Sequence, residues 1–154
     1  MDKTNKINQY CQEFLHQLGF GPDVTVEVRL DEATTTYQIL FHTDNPSLLI
    51  GYHGENLTSM QLILSQHLHA VFDEWLNLSL NVNDYRERRQ FTLHSLADTA
   101  VSRVLATGQP HSLPPMPASE RRLVHLYLAE HPRVSTSSQG LGKNRTIIVS
   151  PKNP

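Results

Sequence analysis

The chain has 154 residues, 38% of them hydrophobic, enough for one ordinary domain or two small ones. No run approaches the ~20 apolar residues needed to cross a bilayer, the polar start from Met1 to Gln9 lacks a signal-peptide core, and the single cysteine, Cys11, excludes an internal disulfide framework and a cysteine-based zinc site. The net charge of −2 hides an asymmetry: residues 1–82 carry ten acids against three bases, net −7, and residues 83–154 carry ten bases against five acids, net +5. Such a split points to two modules, the basic one facing phosphates, in a chain whose default location is the cytoplasm.

Residues 4–18 have helical periodicity, with Ile7, Tyr10, Cys11, Phe14, Leu15 and Leu18 on one face and Gly19 as the stop. Cys11 falls on the apolar face and is expected to be a small core residue. Val24, Val26, Val28 and Leu30 alternate with polar residues as a strand with one buried face. Asp31 to Thr34 turns the chain into a second strand with Tyr37, Ile39 and Phe41 inward, so the pair reads as a hairpin. Pro46 opens a short helical turn through Leu48–Ile50. Gly51-Tyr52-His53-Gly54 follows, and then Leu57, Met60, Leu64, Leu68 and Val71 line one face of a helix. Trp75 precedes a third strand in which Leu76, Leu78, Leu80 and Val82 alternate with polar residues.

From Asp84 a long helix keeps Leu93, Leu96, Ala97, Ala100, Val101, Val104 and Leu105 in register up to Gly108, a natural residue just past a helix end. Its length is about 35 Å at ~1.5 Å per residue. Gln109 to Pro117 contains four prolines and reads as an extended connection. A shorter helix spans about Ala118 to Ala129, with Leu123, Leu126 and Tyr127 supplying its apolar side. Val134–Ser137 and Arg145–Val149 read as two strands joined by a glycine-containing loop.

Two glycines two residues apart, between an apolar run and a helix start, make a tight loop whose backbone can approach a phosphate. The order helix–strand–strand–helix–loop–helix–strand resembles the type II KH fold (αββααβ), with Gly51-Tyr52-His53-Gly54 placed between two helices, where that fold clamps single-stranded nucleic acid. The following helix N-terminus adds N–H groups and a positive dipole end. A phosphate-gripping loop usually carries Lys or Arg between its glycines. Tyr52 and His53 stand there instead, and Glu55 occupies part of the positive end, so binding by this module alone should be weak.

Arg121 and His125 stand four residues apart and share one helix face, with Arg122 beside them. The surrounding segments sharpen this pattern: Tyr85-Arg86-Glu87-Arg88-Arg89, Leu113-Pro114-Pro115-Met116, Glu120-Arg121-Arg122-Leu123-Val124-His125, Thr136-x-Ser138-x-Gly140 and Arg145-Thr146-Ile147-Ile148-Val149. Together they resemble the Arg-x-x-x-His (R-3-H) domain for single-stranded nucleic acids. A KH domain followed directly by this domain resembles the bacterial Jag family (SpoIIIJ-associated proteins, KhpB/EloR-like) across nearly the whole chain.

The expected fold class is therefore α+β in two small domains: a type II KH domain over residues 1–83 and an R-3-H domain over 84–154, built of a long helix, a short helix and a small antiparallel sheet. The resemblance implies binding of single-stranded RNA or DNA in a bacterial cytoplasm, a link to cell elongation, division or sporulation, and a small KH protein or a second copy of the chain as partner. The N-terminal Jag-N domain frequent in that family is expected to be absent, since the first KH helix begins almost at Met1.

The nucleic-acid contacts are expected from Gly51, Tyr52, His53 and Gly54 of the loop, from Arg121, Arg122 and His125 of the short helix, from Arg86 and Arg89 of the long helix, and from Arg133, Lys143 and Arg145 near the strands. The main rival role for His125 is structural, bracing the neighbouring strands. Nine histidines invite a metal reading, but His67 and His69 face different directions, and no Cys pair, His-Glu-x-x-His or carboxylate cluster accompanies them. No phosphate-binding P-loop or nucleophile elbow occurs, so binding without catalysis, cofactor, metal or membrane is expected. The alternative reading is a protein-interaction module whose acidic first half binds a partner KH protein, with nucleic acid secondary.

Overall fold

The computed structural model describes residues 2–152 and divides into two compact units, one ending at Arg86 and the other starting at Glu87. The outermost residues of both expected domains, Met1 and 153–154, lie outside the described residues.

The first unit runs α1 (Lys3–Gln17), β1 (Thr25–Asp31), β2 (Thr36–His42), α2 (Ser47–Ile50), a single 3-10 turn (Tyr52–Gly54), α3 (Glu55–Phe72) and β3 (Asn77–Val82). The two small α+β units match the expected fold class, and the element order is the αββααβ of the first. β1 and β2 form the expected antiparallel hairpin. The chain then passes through α2 and α3 before β3 pairs parallel to β2, as a parallel pair requires a long crossover. The sheet order is β1-β2-β3.

Its core joins Ile7, Cys11 and Leu15 of α1, Ile39 and Phe41 of β2, Leu57, Leu64 and Leu68 of α3, and Leu80 and Val82 of β3, all essentially withdrawn from water. Burial on this scale is the main force holding the layer of helices to the sheet. Three sequence expectations fail at its margin, the first at Leu18, which follows the last residue of α1 and is exposed. Leu30 is exposed near the end of the edge strand β1, and Val71 is exposed in the last turn of α3, where it borders a surface hollow beside Tyr10 and Glu13 of α1.

The second unit contains most of α4 (Tyr85–Thr107), then β4 (His111–Ser112), α5 (Ala118–Leu128), β5 (Val134–Gln139) and β6 (Thr146–Pro151). The three strands form an antiparallel sheet in the order β4-β6-β5. The proline-rich connection therefore contributes a strand that its composition concealed. His111 and Ser112 pair with Val149 and Ile148, between Pro110 and Pro114, where no proline interrupts the ladder.

The core is Leu93, Ala97, Ala100 and Val104 of α4, Val124 and Leu128 of α5, and Val134, Ile147 and Val149 of the sheet. The inward side of α5 differs from the expected one. Leu123, Leu126 and Tyr127 are exposed, and the buried residues are Glu120, Val124 and Leu128. A carboxylate is buried in place of a third apolar contact because it has a partner, described below.

Candidate nucleic-acid interface

In β5 successive side chains alternate, so Val134, Thr136 and Ser138 share the face less open to water. In α5, Arg121 and His125 share one flank of the helix. Four residues of helix rise about 6 Å and two residues of strand advance about 6.6 Å, so the two pairs are matched in length. The match is realised. Arg121 Nη1 donates to Ser138 Oγ at 2.7 Å, and His125 Nδ1 lies 2.6 Å from Thr136 Oγ1. The Arg-x-x-x-His pattern on the helix and the Thr-x-Ser pattern on the strand are two halves of one clasp.

Arg145, just before β6, completes the cluster. Its Nε donates to Ser138 Oγ at 2.8 Å, its Nη1 to the Gly140 carbonyl at 2.9 Å and its Nη2 to the Ser138 carbonyl at 3.3 Å. Arg121 Nε is held by the Met116 carbonyl at 3.1 Å. A serine hydroxyl has two lone pairs and one proton. With both lone pairs engaged by guanidinium groups, the proton is left to donate. Two half-buried cations and a hydroxyl donor thus meet, and among the described residues neither arginine pairs with a carboxylate. Such a group, rich in donors and net positive, suits an anion with several acceptor oxygens.

The other predicted residues separate into two sets. Arg122, Arg133 and Lys143 are exposed and able to extend a positive surface. Arg86 and Arg89 hold structure. Arg86 Nε donates to the Leu80 carbonyl at 2.7 Å and its Nη2 to Gln61 Oε1 at 3.0 Å. Arg89 makes a two-pronged ion pair with the buried Glu120, Nε to Oε1 at 2.7 Å and Nη2 to Oε2 at 2.9 Å. The sequence signalled basic residues on a long helix but not the acid, thirty-one positions on, that claims one of them. Ser138 and Thr136 were the residues missed as site members. They stood in the quoted Thr-x-Ser-x-Gly pattern, and only the helix–strand match shows what they hold.

In the first unit, the loop has Gly51 at φ 69° and Gly54 at φ 79°, with His53 at φ 52° between them. A Cβ on Gly51 would lie 2.6 Å from Asn56 Cγ, and one on Gly54 would lie 3.1 Å from Tyr85 Cε1. Asn56 is itself fixed, its Nδ2 donating to the Leu48 carbonyl at 2.8 Å. The missing side chains therefore make room for Asn56 and Tyr85, a reason for glycine that does not depend on a phosphate. Tyr52 is 73% exposed with its ring edge-on to His53, so an aromatic face is available beside the loop. The N-terminus of α3 has no side-chain cap, and Glu55 is the acid of its first turn, as expected.

No helix among the described residues is long and apolar enough to cross a membrane, and among them no group of three or more His, Cys, Asp or Glu side chains is arranged to hold a metal ion.

Residues 7–71 match the family model of the KhpA/KhpB KH domain, and residues 92–151 match that of the R-3-H domain. Three proteins, each described as an RNA-binding protein KhpB, align over nearly the whole chain. The Lactiplantibacillus plantarum relative is 35% identical over 92% of this chain and 42% of its own length. The Streptococcus pneumoniae serotype 2 relative is 33% identical over 95% of this chain and 43% of its own length, so the chain spans less than half the length of these two proteins. The Bacillus subtilis relative is 30% identical over 99% of this chain and 72% of its own length. With both domain models matched in this order, and a relative aligned over almost three quarters of its length, the chain belongs to the KhpB family.

Proposed function

We propose that this chain binds single-stranded RNA without catalysis, with the second unit supplying the principal grip on the phosphate backbone. The observation that carries the reading is the convergence of Arg121 and Arg145 on Ser138 Oγ, at 2.7 and 2.8 Å. An RNA phosphate placed there meets two guanidinium groups and a hydroxyl, with no carboxylate paired to either arginine among the described residues. His125, braced by Thr136 yet exposed, stands one helical turn along from Arg121, where a neighbouring phosphate or base would lie. Arg122, Arg133 and Lys143 extend the positive surface, and Tyr52 with His53 in the first unit adds a stacking contact beside the glycine loop. Arg89 is left out of the interface because the buried Glu120 neutralises its charge, and Arg86 because it belongs to the first unit, where it joins β3 to α3.

The relatives' description as RNA-binding proteins supports the same reading. A fluorescence titration with labelled single-stranded RNA at several salt concentrations tests it. The expected result is a steep loss of affinity with salt, from counterion release. Affinity independent of salt, or RNA cleaved during the titration, refutes it.

A second reading applies to the first unit. Leu62 and Ile63, 62% and 52% exposed, put apolar surface on the outer side of α3 in a unit of net negative charge. That favours docking of a small KH-domain protein or a second copy of this chain. Light scattering after nuclease treatment should show a species larger than the monomer, and a monomer alone and with such a partner refutes this reading.

A further inference from the structure

We propose that Glu120 is a positioning residue for RNA binding: through its ion pair with Arg89 it sets the rotation of α5 that turns Arg121 toward Ser138. The inference rests on the reading that Arg121 and Arg145 grip phosphate.

Among the described residues Glu120 is the one charged or polar residue that is buried, 5% exposed. Both its oxygens receive Arg89, at 2.7 and 2.9 Å, a planar fork that fixes direction as well as distance. A buried ion pair is weak ground for stability, because desolvation offsets the attraction, and its better-attested use is to fix one arrangement among several. α5 needs such fixing. It has 11 residues, no side-chain cap at its start, and only Val124 and Leu128 as buried apolar contacts. Two apolar side chains tolerate a rotated helix, whereas a two-pronged carboxylate does not.

Consecutive helical residues point about 100° apart. Once Glu120 is locked to α4, Arg121 therefore points to the flank where Ser138 and Arg145 lie. On this account the acid next to the key arginine assists polyanion binding, although simple charge counting says that it opposes it.

The two views give opposite signs for Glu120→Gln, which removes a negative charge beside the site. Positioning predicts that single-stranded RNA binds roughly five- to tenfold more weakly, and charge counting predicts tighter binding. The assay is a fluorescence titration of the full chain with labelled oligouridylate, with circular dichroism to confirm folding. Arg89→Lys is the second variant and carries the test should Glu120→Gln not fold. Lysine keeps the charge but not the fork, so a positioning role predicts a similar loss that disappears when Arg121 is already alanine, whereas a direct phosphate contact by Arg89 predicts a loss that persists in that background.

A double-mutant cycle separates positioning from general structural damage. If Glu120 acts through Arg121, the Glu120→Gln loss disappears when Arg121 is already alanine. An undiminished loss in that background, or binding by Glu120→Gln equal to or tighter than the parent, overturns the proposal. If Arg121→Ala alone leaves binding unchanged, the phosphate reading fails instead.

Discussion

Arg121 and Arg145 meet at a single atom, the Ser138 hydroxyl oxygen, 2.7 Å from one guanidinium and 2.8 Å from the other. Two cations held this close repel each other by something on the order of 1–3 kcal/mol in a partly solvated setting. Serine holds them together without neutralising them, so the site meets an arriving phosphate with its charge unspent. Arg121→Ala and Arg145→Ala should each weaken single-stranded RNA binding about tenfold and reduce the slope of log affinity against log salt by about 1. Ser138→Ala should also weaken binding, because both guanidiniums lose their shared anchor, but the slope should stay near the parent value since both charges remain. Salt-series titrations of the three variants check this. A slope unchanged by both arginine substitutions contradicts the assignment.

His125 and Thr136 form the other half of the clasp. The 2.6 Å contact fixes the ring's orientation, and whether the imidazole donates or accepts there depends on its tautomer, since the hydroxyl can do either. Thr136→Val keeps the shape and removes the hydroxyl. Binding should fall about three- to fivefold, with Thr136→Ser close to the parent. NMR of the His125 ring in the free protein supplies the structural check, because its nitrogen shifts should move in Thr136→Val and not in Thr136→Ser. Equal affinities for all three proteins would show that the orientation of His125 does not matter to binding.

The glycine loop makes a separate prediction about stability. Gly51 sits at φ 69° with the Asn56 side chain where a Cβ would go. Gly51→Ala combines left-handed strain with a collision, and should destabilise the first unit by about 1–3 kcal/mol. Gly54→Ala presses on Tyr85 instead, at 3.1 Å, a tilt the ring can partly absorb, so the loss should be smaller. Urea denaturation followed by Trp75 fluorescence compares the two. If both fold as well as the parent but lose RNA affinity, the glycines serve the ligand and not the packing.

How far the sequence could be read follows from these residues. Helices, strands and the two-module plan were legible because local periodicity and glycine or proline punctuation carry them: Ile39 and Phe41 alternate inward, and Leu57, Leu64 and Leu68 recur on one helix face. Arg121, His125 and Arg145 stood out through the resemblance of their segments to the R-3-H pattern, since the Arg-x-x-x-His spacing alone is no more than chance. Partnerships between distant residues were not. Arg89 reads as a free surface cation until Glu120 is brought against it, and Ser138 reads as an ordinary strand residue until two arginines share its oxygen. Likewise Leu123, Leu126 and Tyr127 look like a core stripe, yet burying Glu120 turns that stripe toward solvent, where Tyr127 stacks on His94 and donates to Asp98 at 3.1 Å.

Cys11 offers a test of the first core that is independent of RNA. It lies within the cluster of Ile7, Leu15 and Leu64, fully buried, and burial pushes its thiol up to about 12. Only a thiolate attacks an alkylating reagent at a useful rate. In the native protein at pH 8, iodoacetamide should therefore label Cys11 only through transient unfolding, orders of magnitude more slowly than in urea. The sign for stability follows from the raised value: the folded state holds the proton more tightly than the unfolded chain, so this contribution is complete below pH 9 and is lost as pH rises from 9 towards 12. Cys11→Ala should flatten that alkaline decline and, by leaving a small cavity, lower stability at neutral pH by about 1 kcal/mol. Stoichiometric labelling of folded protein within minutes at pH 8 would mean that α1 is not seated on the sheet as described.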